Sequence, residues 1–475
     1  MKSHLPRMTV LALILTPQLA FAQTIALRGT LVTPASIIND GFVTVNDSTI
    51  TLVQPWVERD TSSVTKVVAV DGIIFPGLID LHNHVTWNAF PRWKPPTLSK
   101  NRYEWQEMPE YAASLSRPHG DLSNHGYDCD LNRYGELKVI ANGGTSTVGS
   151  IRNECIRGLA RNLDFLSELS RDEQPGGDAF RNEIFPLEIR SSCGEQAMRD
   201  VGRALEPCAL SPQETMPVSP RAAVAHVAEG IDASTRREFS MFAAHGYLHP
   251  GISIIHGVGL RSEHFKQMAS SGVGLIWSPR SNMELYGQTT DVVAARNAGV
   301  TVAVAPDWSP SGSTGMLAEL RYIDRWQRDA SNRPPFNFSS KELVEMATIV
   351  PARLARLEDK LGKLESGYMA DLIAMKRPAP AADATPYDAL AHQTPSDLLL
   401  VMVGGVALFG EPGLMNQLVP DHAQLESVTI CGETRLVNAQ AGTYTGVPWA
   451  ETEARLVTAL KPYGITLAPF VECTP

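Results

Sequence analysis

No apolar run in this chain reaches the roughly 18 residues that a membrane-spanning helix requires. Basic residues are outnumbered, 41 Lys and Arg against 51 Asp and Glu, and the net charge of −10 argues against a nucleic-acid partner, whose phosphates call for basic surface. There is no internal repeat and no heptad pattern, which leaves neither a solenoid nor a coiled coil. What is present is a composition 43% hydrophobic and 19% charged, enough apolar content for a large packed core. A length of 475 residues exceeds an average domain and suits an α/β barrel with an appendage.

The first residues read as a targeting segment. Lys2 and Arg7 precede the apolar stretch "MTVLALILTPQLAFA", and Ala20-Phe21-Ala22 has the small-x-small form of a cleavage site. No twin-Arg pair occurs, and no Cys follows the site to take a lipid. Residues 1–22 are therefore expected to be a secretory signal, with the mature protein periplasmic or secreted and free of a membrane span; the alternative is a buried first strand. Six cysteines, an even count, fit that destination as disulfides, although six allow 15 connectivities. Proximity in sequence favours Cys193–Cys208, Cys431–Cys473 and Cys129–Cys155; in a cytosolic protein they would instead be free buried thiols.

Residues 23–72 carry short Val-, Ile- and Thr-rich strand signals separated by turn residues, the first part of a β-sandwich. From 73 to 357 apolar strands alternate with helical segments, which indicates a parallel sheet. Candidate strands at 73–82, 144–149, 158–165, 183–190, 222–227, 252–257, 273–278 and 300–306 number eight, as in a (β/α)8 TIM barrel. Strand signals return over 358–410 as the second part of the sandwich, and 411–475 forms a C-terminal extension with one helix.

In such a barrel the functional groups sit at the C-terminal ends of strands. The stretch "PGLIDLHNHVTWN" ends the first strand in His82 and His84, which, two apart on a strand, project to the same side. "AAVAHVAEG" ends in His226 with Glu229 three residues on, "ISIIHG" in His256, and "VTVAVAPDW" in Asp307. A single strand-end His is more often an ordinary core or surface residue. Four strand ends carrying titratable groups at one predicted barrel mouth make a constellation.

That constellation, with "GGTSTV", "SPRSN" and the closing "GKLESGYMADLIAM", resembles the amidohydrolase superfamily over nearly the whole mature chain. It is most similar there to the mononuclear deaminase and triazine-hydrolase-like group. The resemblance implies that His82, His84, His226 and Asp307 bind one divalent metal. It implies Glu229 as proton shuttle and His256 as a group that polarises the substrate or steadies hydroxide, so that Glu229, His256 and Asp307 are the catalytic residues. Three imidazoles and a carboxylate suit Zn²⁺ or Fe²⁺ with a position left for water. Binuclear relatives bridge two metals with a carboxylated lysine on strand four; no Lys occurs between Lys138 and Lys266, which excludes that form. Glu188, near the end of candidate strand four, is in principle able to bridge a second metal, unless it pairs with Arg190.

"APDWSPSGS" departs from the family's usual strand eight, so Trp308, Ser309 and Ser311 are expected to shape the substrate site. Arg280 meets an anionic substrate group if it faces inward and is otherwise a solvated loop residue, and Asn282 is a further candidate there unless its role is structural. Trp87, Trp93, Tyr103 and Trp105, in the long loop after strand one, line or cover the pocket unless they only pack beneath the loop. His119, His125, His245, His249 and His264 belong to no motif. The leading expectation is an exported metal-dependent hydrolase of non-peptide C–N bonds acting on a small molecule, by deamination or amide hydrolysis. A peptidase- or esterase-like relative and a non-catalytic metal- or ligand-binding protein on the same fold stay open, as does homo-oligomerisation.

Overall fold

The structure, a computed structural model, describes residues 24–57, 64–150, 159–163, 180–183, 222–329, 338–379, 384–441 and 447–473. Residues 1–22, expected to be a targeting segment, and Cys155, Glu188, Cys193 and Cys208 lie outside the described residues.

The chain opens with β1 (Thr24–Val32), β2 (Ile37–Asn46), β3 (Thr49–Pro55) and β4 (Lys66–Pro76). A series of parallel strands follows: β5 (Leu78–Ile79), β6 (Gly144–Thr147), β7 (Arg161–Asn162), β8 (Phe180–Glu183), β9 (Ala222–Val227), β10 (Ile252–His256), β11 (Gly274–Trp277) and β12 (Val302–Val304). The last strands are β13 (Leu372–Met375), β14 (Leu398–Val403), β15 (Val406–Gly410), β16 (Glu426–Ile430) and β17 (Glu433–Val437).

The first and last groups share one nine-stranded sheet, in the order β16-β17-β15-β14-β13-β4-β1-β2-β3. The two distant segments expected to form one sandwich share this sheet: β4 pairs in parallel with β1 and antiparallel with β13, and Leu27, Val43 and Ile50 of the first segment share a core with Leu400 and Met402 of the second. The hairpin β16–β17 extends the same sheet. Alternation along the strands divides their side chains between two cores. Ile74, Leu372, Leu400 and Met402 pack with Leu414 and Met415, whereas Ile73, Phe75, Ile373 and Val401 join the larger core around helix Asp128–Ala141. Each such buried aliphatic side chain contributes roughly 1.5–3 kcal/mol.

The parallel strands fall into β12-β11-β10-β9-β8 and β5-β6-β7. No ladder joins β7 to β8 or β12 to β5 among the described residues. All six residues of β9 are buried, which is why it reads as an apolar run broken only by His226. The strand expected at 73–82 divides at Gly77. Residues up to Pro76 belong to the nine-stranded sheet, and β5 begins the parallel series. Gly77 passes so close to β6 that a Cβ there would lie 2.0 Å from Thr145 Oγ1, and its N–H donates to the Asp371 carbonyl. Arg161 of β7 fixes the same junction through two bonds to Asp371, at 2.7 and 2.9 Å. β8 ends at Glu183, where the sequence had placed the start of a strand over 183–190; residues 184–190 lie outside the described residues.

Candidate metal centre and cavity

Six side chains at or just after strand ends meet. His82 Nε2 lies 3.1 Å from His226 Nε2 and 3.3 Å from Asp307 Oδ1, and His84 Nε2 lies 3.5 Å from the same Asp307 oxygen. His256 Nε2 is 3.7 Å from Glu229 Oε1 and 4.0 Å from Asp307 Oδ2. Two sets, His82 with His226 and His256, and His82 with His84 and Asp307, each hold ligand atoms within 4.8 Å of one another. His82 and His84 face one way, but a turn sets this rather than a strand. Asp80 accepts from His82 N at 3.0 Å and from Asn83 Nδ2 at 2.6 Å, curling the chain just past β5.

The donor set fits a metal ion. Burial, reinforced by neighbouring imidazoles, pushes the pKa of His84 down to about 3 and that of His82 well below its ordinary value. Both rings are therefore neutral, the ligating form. Asp307 Oδ1 is buried with no hydrogen-bond partner among the described residues, an arrangement a cation would satisfy. Burial also raises the Asp307 carboxyl well above the usual range. His82 Nδ1 lies 2.8 Å from Ser278 Oγ; donating there leaves Nε2 free to ligate.

Short loops after the strands hold these groups in demanding backbone conformations. Ala228, His256 and Asp307 have φ of 57, 65 and 64°, in the left-handed region, at about 1–3 kcal/mol each for non-glycine residues. A single helix, Pro279–Tyr286, supplies much of the compensation. It opens with Pro279, which cannot continue a strand, and closes on Gly287 at φ 65°. Ser278 at its N-cap reaches His82. Ser281 Oγ donates to Asp307 Oδ2 at 2.6 Å, Asn282 Oδ1 accepts from His256 Nδ1 at 2.8 Å, and Tyr286 OH donates to Glu229 Oε1 at 2.7 Å. Trp105 Nε1 donates in turn to Tyr286 OH at 2.8 Å.

Beside the centre is a cavity of about 180 Å³ lined by His84, His226, Glu229, His256 and Asp307, by the aromatic side chains Trp87, Trp105, Tyr111 and Trp308, and by Gln106 and Leu285. The loop after β5 covers it and is fastened at three places. Trp93 N donates to the Pro310 carbonyl, Ser99 N to that of Leu285, and Ile231 N to that of Lys100, at 2.8, 2.9 and 2.6 Å.

Of the residues expected to bind substrate, Trp87 and Trp308 line the cavity and three do not. Arg280 pairs with Glu472 of the C-terminal segment at 2.5 Å, because that carboxylate offers it a partner on the outer side. Asn282 is occupied by His256. Ser309 bonds through N and Oγ to Asn88 Oδ1, at 2.8 and 3.0 Å, and so anchors its loop. Trp105 lines the cavity, Trp93 packs behind it with ring centroids 6.2 Å apart, and Tyr103 donates to Glu238 at 2.8 Å. Ser311 bridges Ser281 and Trp308 Nε1.

Sequence reasoning missed Tyr286 and His119. Asn282 and Tyr286 are four apart, on one helix face, a spacing that signals a shared side. His119 stacks on Trp87 with ring centroids 3.8 Å apart, and no pattern in the sequence announces it. Of the disulfides, Cys431–Cys473 is formed and Cys129 is disulfide-bonded as well.

An α/β protein with a His/Asp metal-type centre at the ends of parallel strands is thus defined. The resemblance to the amidohydrolases holds: residues 218–408 match the amidohydrolase family model. Among curated proteins the chain is similar to the 5-methylthioadenosine/S-adenosylhomocysteine deaminase of Pyrococcus furiosus, 34% identical over 136 residues, 28% of this chain and 32% of that protein. It is also similar to the protein of the same name from Haloarcula marismortui, 25% identical over 349 residues, 68% of this chain and 77% of that protein. The match to the Pyrococcus protein thus spans about a third of its length. Among solved structures, a triazine hydrolase variant aligns with a TM-score of 0.60 at 18% identity, covering 81% of this chain and 94% of that one. An adenosine deaminase from Xanthomonas campestris with bound zinc aligns with a TM-score of 0.59 at 14% identity, covering 93% and 99%. At these identities the structural likeness speaks for the fold alone.

Proposed function

We propose that this chain is a metal-dependent hydrolase that cleaves a non-peptide C–N bond of a small heterocycle and releases an amine. The observation that carries the reading is Glu229. It lines the cavity, stands outside the ligand sets, and is held by Tyr286 with one oxygen 3.7 Å from His256 Nε2. A protein that only binds metal has no use for that carboxylate. The deaminases among its relatives and the match to the amidohydrolase family model support the same chemistry. We take the parallel strands as those of a (β/α)8 barrel.

His82, His84, His226 and Asp307 would hold one Zn²⁺ or Fe²⁺. Such an ion supplies Lewis acidity, which brings the pKa of a water from 15.7 toward ~7. Glu229 takes a proton from the attacking water and returns it to the departing nitrogen, which leaves well only once protonated. His256, neutral through burial and fixed by Asn282, faces Glu229 and Asp307 and steadies charge that develops between them. The aromatic cover keeps bulk water from the reacting atoms.

Glu229→Gln tests this. Glutamine keeps the shape and loses the proton transfer. Ammonia release from the best substrate of a heterocyclic-amine screen should fall roughly 10²–10⁴-fold, with metal content by elemental analysis unchanged. Near-normal turnover in that variant would remove Glu229 from the mechanism.

We also infer export to the periplasm or medium. Lys2, Arg7 and the apolar stretch after them support it, as does Cys431–Cys473, since disulfides persist in oxidising compartments. N-terminal sequencing of protein from the exported fraction tests it; a start at Met1 would count against it.

A further inference from the structure

The cavity's chemistry is lopsided. Trp308 sits at the hub of an aromatic cage, with ring centroids 5.5 Å from Trp87, 6.0 Å from Trp105 and 6.3 Å from Tyr111. Trp105 and Tyr111 meet edge to face at 5.1 Å. The indole N–H groups of Trp105 and Trp308 are both engaged behind the wall, on Tyr286 OH and Ser311 Oγ at 2.8 and 2.6 Å. These rings are therefore locked, and it is their carbon surfaces that meet a ligand. Trp87 is backed by His119, whose pKa burial pushes down to about 4, so the imidazole behind that wall is uncharged near neutrality.

No arginine or lysine lines the cavity among the described residues, and the nearby arginines are taken. Arg280 is on Glu472, Arg92 on Glu284 and Glu472, and Arg102 on Glu238. The acidic groups that do reach the cavity are Glu229 and Asp307, beside the expected divalent ion. What remains is the negative potential of aromatic faces, which attracts cations. A volume of about 180 Å³ falls below the ~300–1,000 Å³ of pockets for drug-sized ligands, so it suits one or two fused rings.

We propose that the cage of Trp87, Trp105, Tyr111 and Trp308 selects a compact, planar, cationic nitrogen heterocycle without an acidic substituent. The proposal rests on the reading of this centre as a C–N hydrolase site and names its substrate class. Selection lies in the ring faces rather than in a specific ion pair, so permanent cations bind whether or not they react.

The test is equilibrium binding to the zinc-loaded protein, read by quenching of tryptophan fluorescence at pH 8. The probes are 1-methylquinolinium, its uncharged counterpart 4-methylquinoline, and quinoline-4-carboxylate. The cation should bind about 2- to 30-fold more tightly than the neutral ring, and the carboxylate most weakly. Replacing Trp87 and Tyr111 together by leucine keeps the cavity apolar and removes two ring faces. The cation's advantage should then fall toward parity, whereas the double phenylalanine variant retains it. Zinc content and melting temperature report whether each variant is folded, and Tyr111→Leu alone carries the comparison if the double leucine variant is not. A carboxylate probe that binds as well as the neutral ring, or a cation preference that survives loss of the ring faces, overturns the proposal. Since binding is read without turnover, a protein that shows the cation preference yet releases no amine from any heterocycle refutes the hydrolase reading and leaves the cage. Release of amine from an acidic heterocycle with no cation preference does the reverse.

Discussion

Tyr286→Phe removes one oxygen atom and tests how Glu229 is aimed. In the wild type the phenol donates to Glu229 Oε1 at 2.7 Å and accepts from Trp105 Nε1 at 2.8 Å, all three groups being buried. Burial and the adjacent Glu229 hold the Tyr286 pKa well above its ordinary value, so the hydroxyl stays a donor throughout the working range. A hydrogen bond to a charged group contributes roughly 1.5–3 kcal/mol. If that energy orients Glu229 for proton transfer, kcat falls about 10- to 150-fold. The indole N–H of Trp105 loses its acceptor, and an unsatisfied buried donor costs about 1–3 kcal/mol, which appears in the melting temperature rather than in kcat. Tyr286 does not line the cavity, so KM should change little and zinc content should not change. The assay is steady-state amine release in H₂O and D₂O with elemental analysis. The solvent isotope effect on kcat should grow as proton transfer becomes more limiting, a change that a purely structural role for Tyr286 would not produce. An unaltered kcat, or a loss explained by lost zinc, would refute Tyr286 as a positioning residue.

His226→Ala should lose both metal and activity, in contrast to Glu229→Gln; retention of a full equivalent of metal by elemental analysis would remove it from the ligand set. Serine at Cys431 and Cys473 opens a bridge between residues 42 apart in sequence, which costs about 4 kcal/mol by chain entropy; a denaturant midpoint unchanged from the oxidised wild type would contradict this. Glu136, buried on the helix under the cavity loop, has its pKa raised by burial to about 8 from 4.5, so the folded state holds its proton more tightly than the unfolded one. Its contribution is fully present below pH 4.5 and lost as pH rises through about 8, at up to ~1.4 kcal/mol per pH unit; Glu136→Gln should flatten that decline in a series of urea melts, and a parallel decline would show the linkage to be misassigned.

The site was legible where chemistry coincided with a strand end. His226 and His256 follow mainly apolar runs because β9 and β10 are buried along their whole length, and Asp307 follows another. The Asp-Leu-His-Asn-His stretch was legible for a reason slightly different from the true one: the turn built on Asp80, not strand alternation, aims both rings. The nine-stranded sheet was legible as β-structure but not as one ladder, because edge-to-edge and face-to-face pairing produce the same alternation. Gly77 was hidden for a similar reason. An apolar strand that leaves one sheet for another reads as a single run, and only the close approach to Thr145 shows the break. Arg280 was misjudged because its partner, Glu472, is 192 residues away.

What the sequence could least convey is how four separate strand ends come to act as one site. The answer is the helix Pro279–Tyr286 with its N-cap Ser278. From this one segment Ser278 fixes His82 from β5, Tyr286 fixes Glu229 after β9, Asn282 fixes His256 of β10 and Ser281 fixes Asp307 after β12. Each bond alone is worth about 1 kcal/mol, or roughly 1.5–3 where a charge accepts. Their larger effect is geometric, since a rigid helix ties four groups to one body and sets their mutual distances. Two of the groups it holds, His256 and Asp307, have left-handed backbones that would relax without such a hold. The same helix presents Leu285 to the cavity and receives Trp105 on Tyr286, so the aromatic cover is referred to the same body. "SPRSNMELY" contributes no group to the candidate metal sets, yet it holds His82, Glu229, His256 and Asp307 in place.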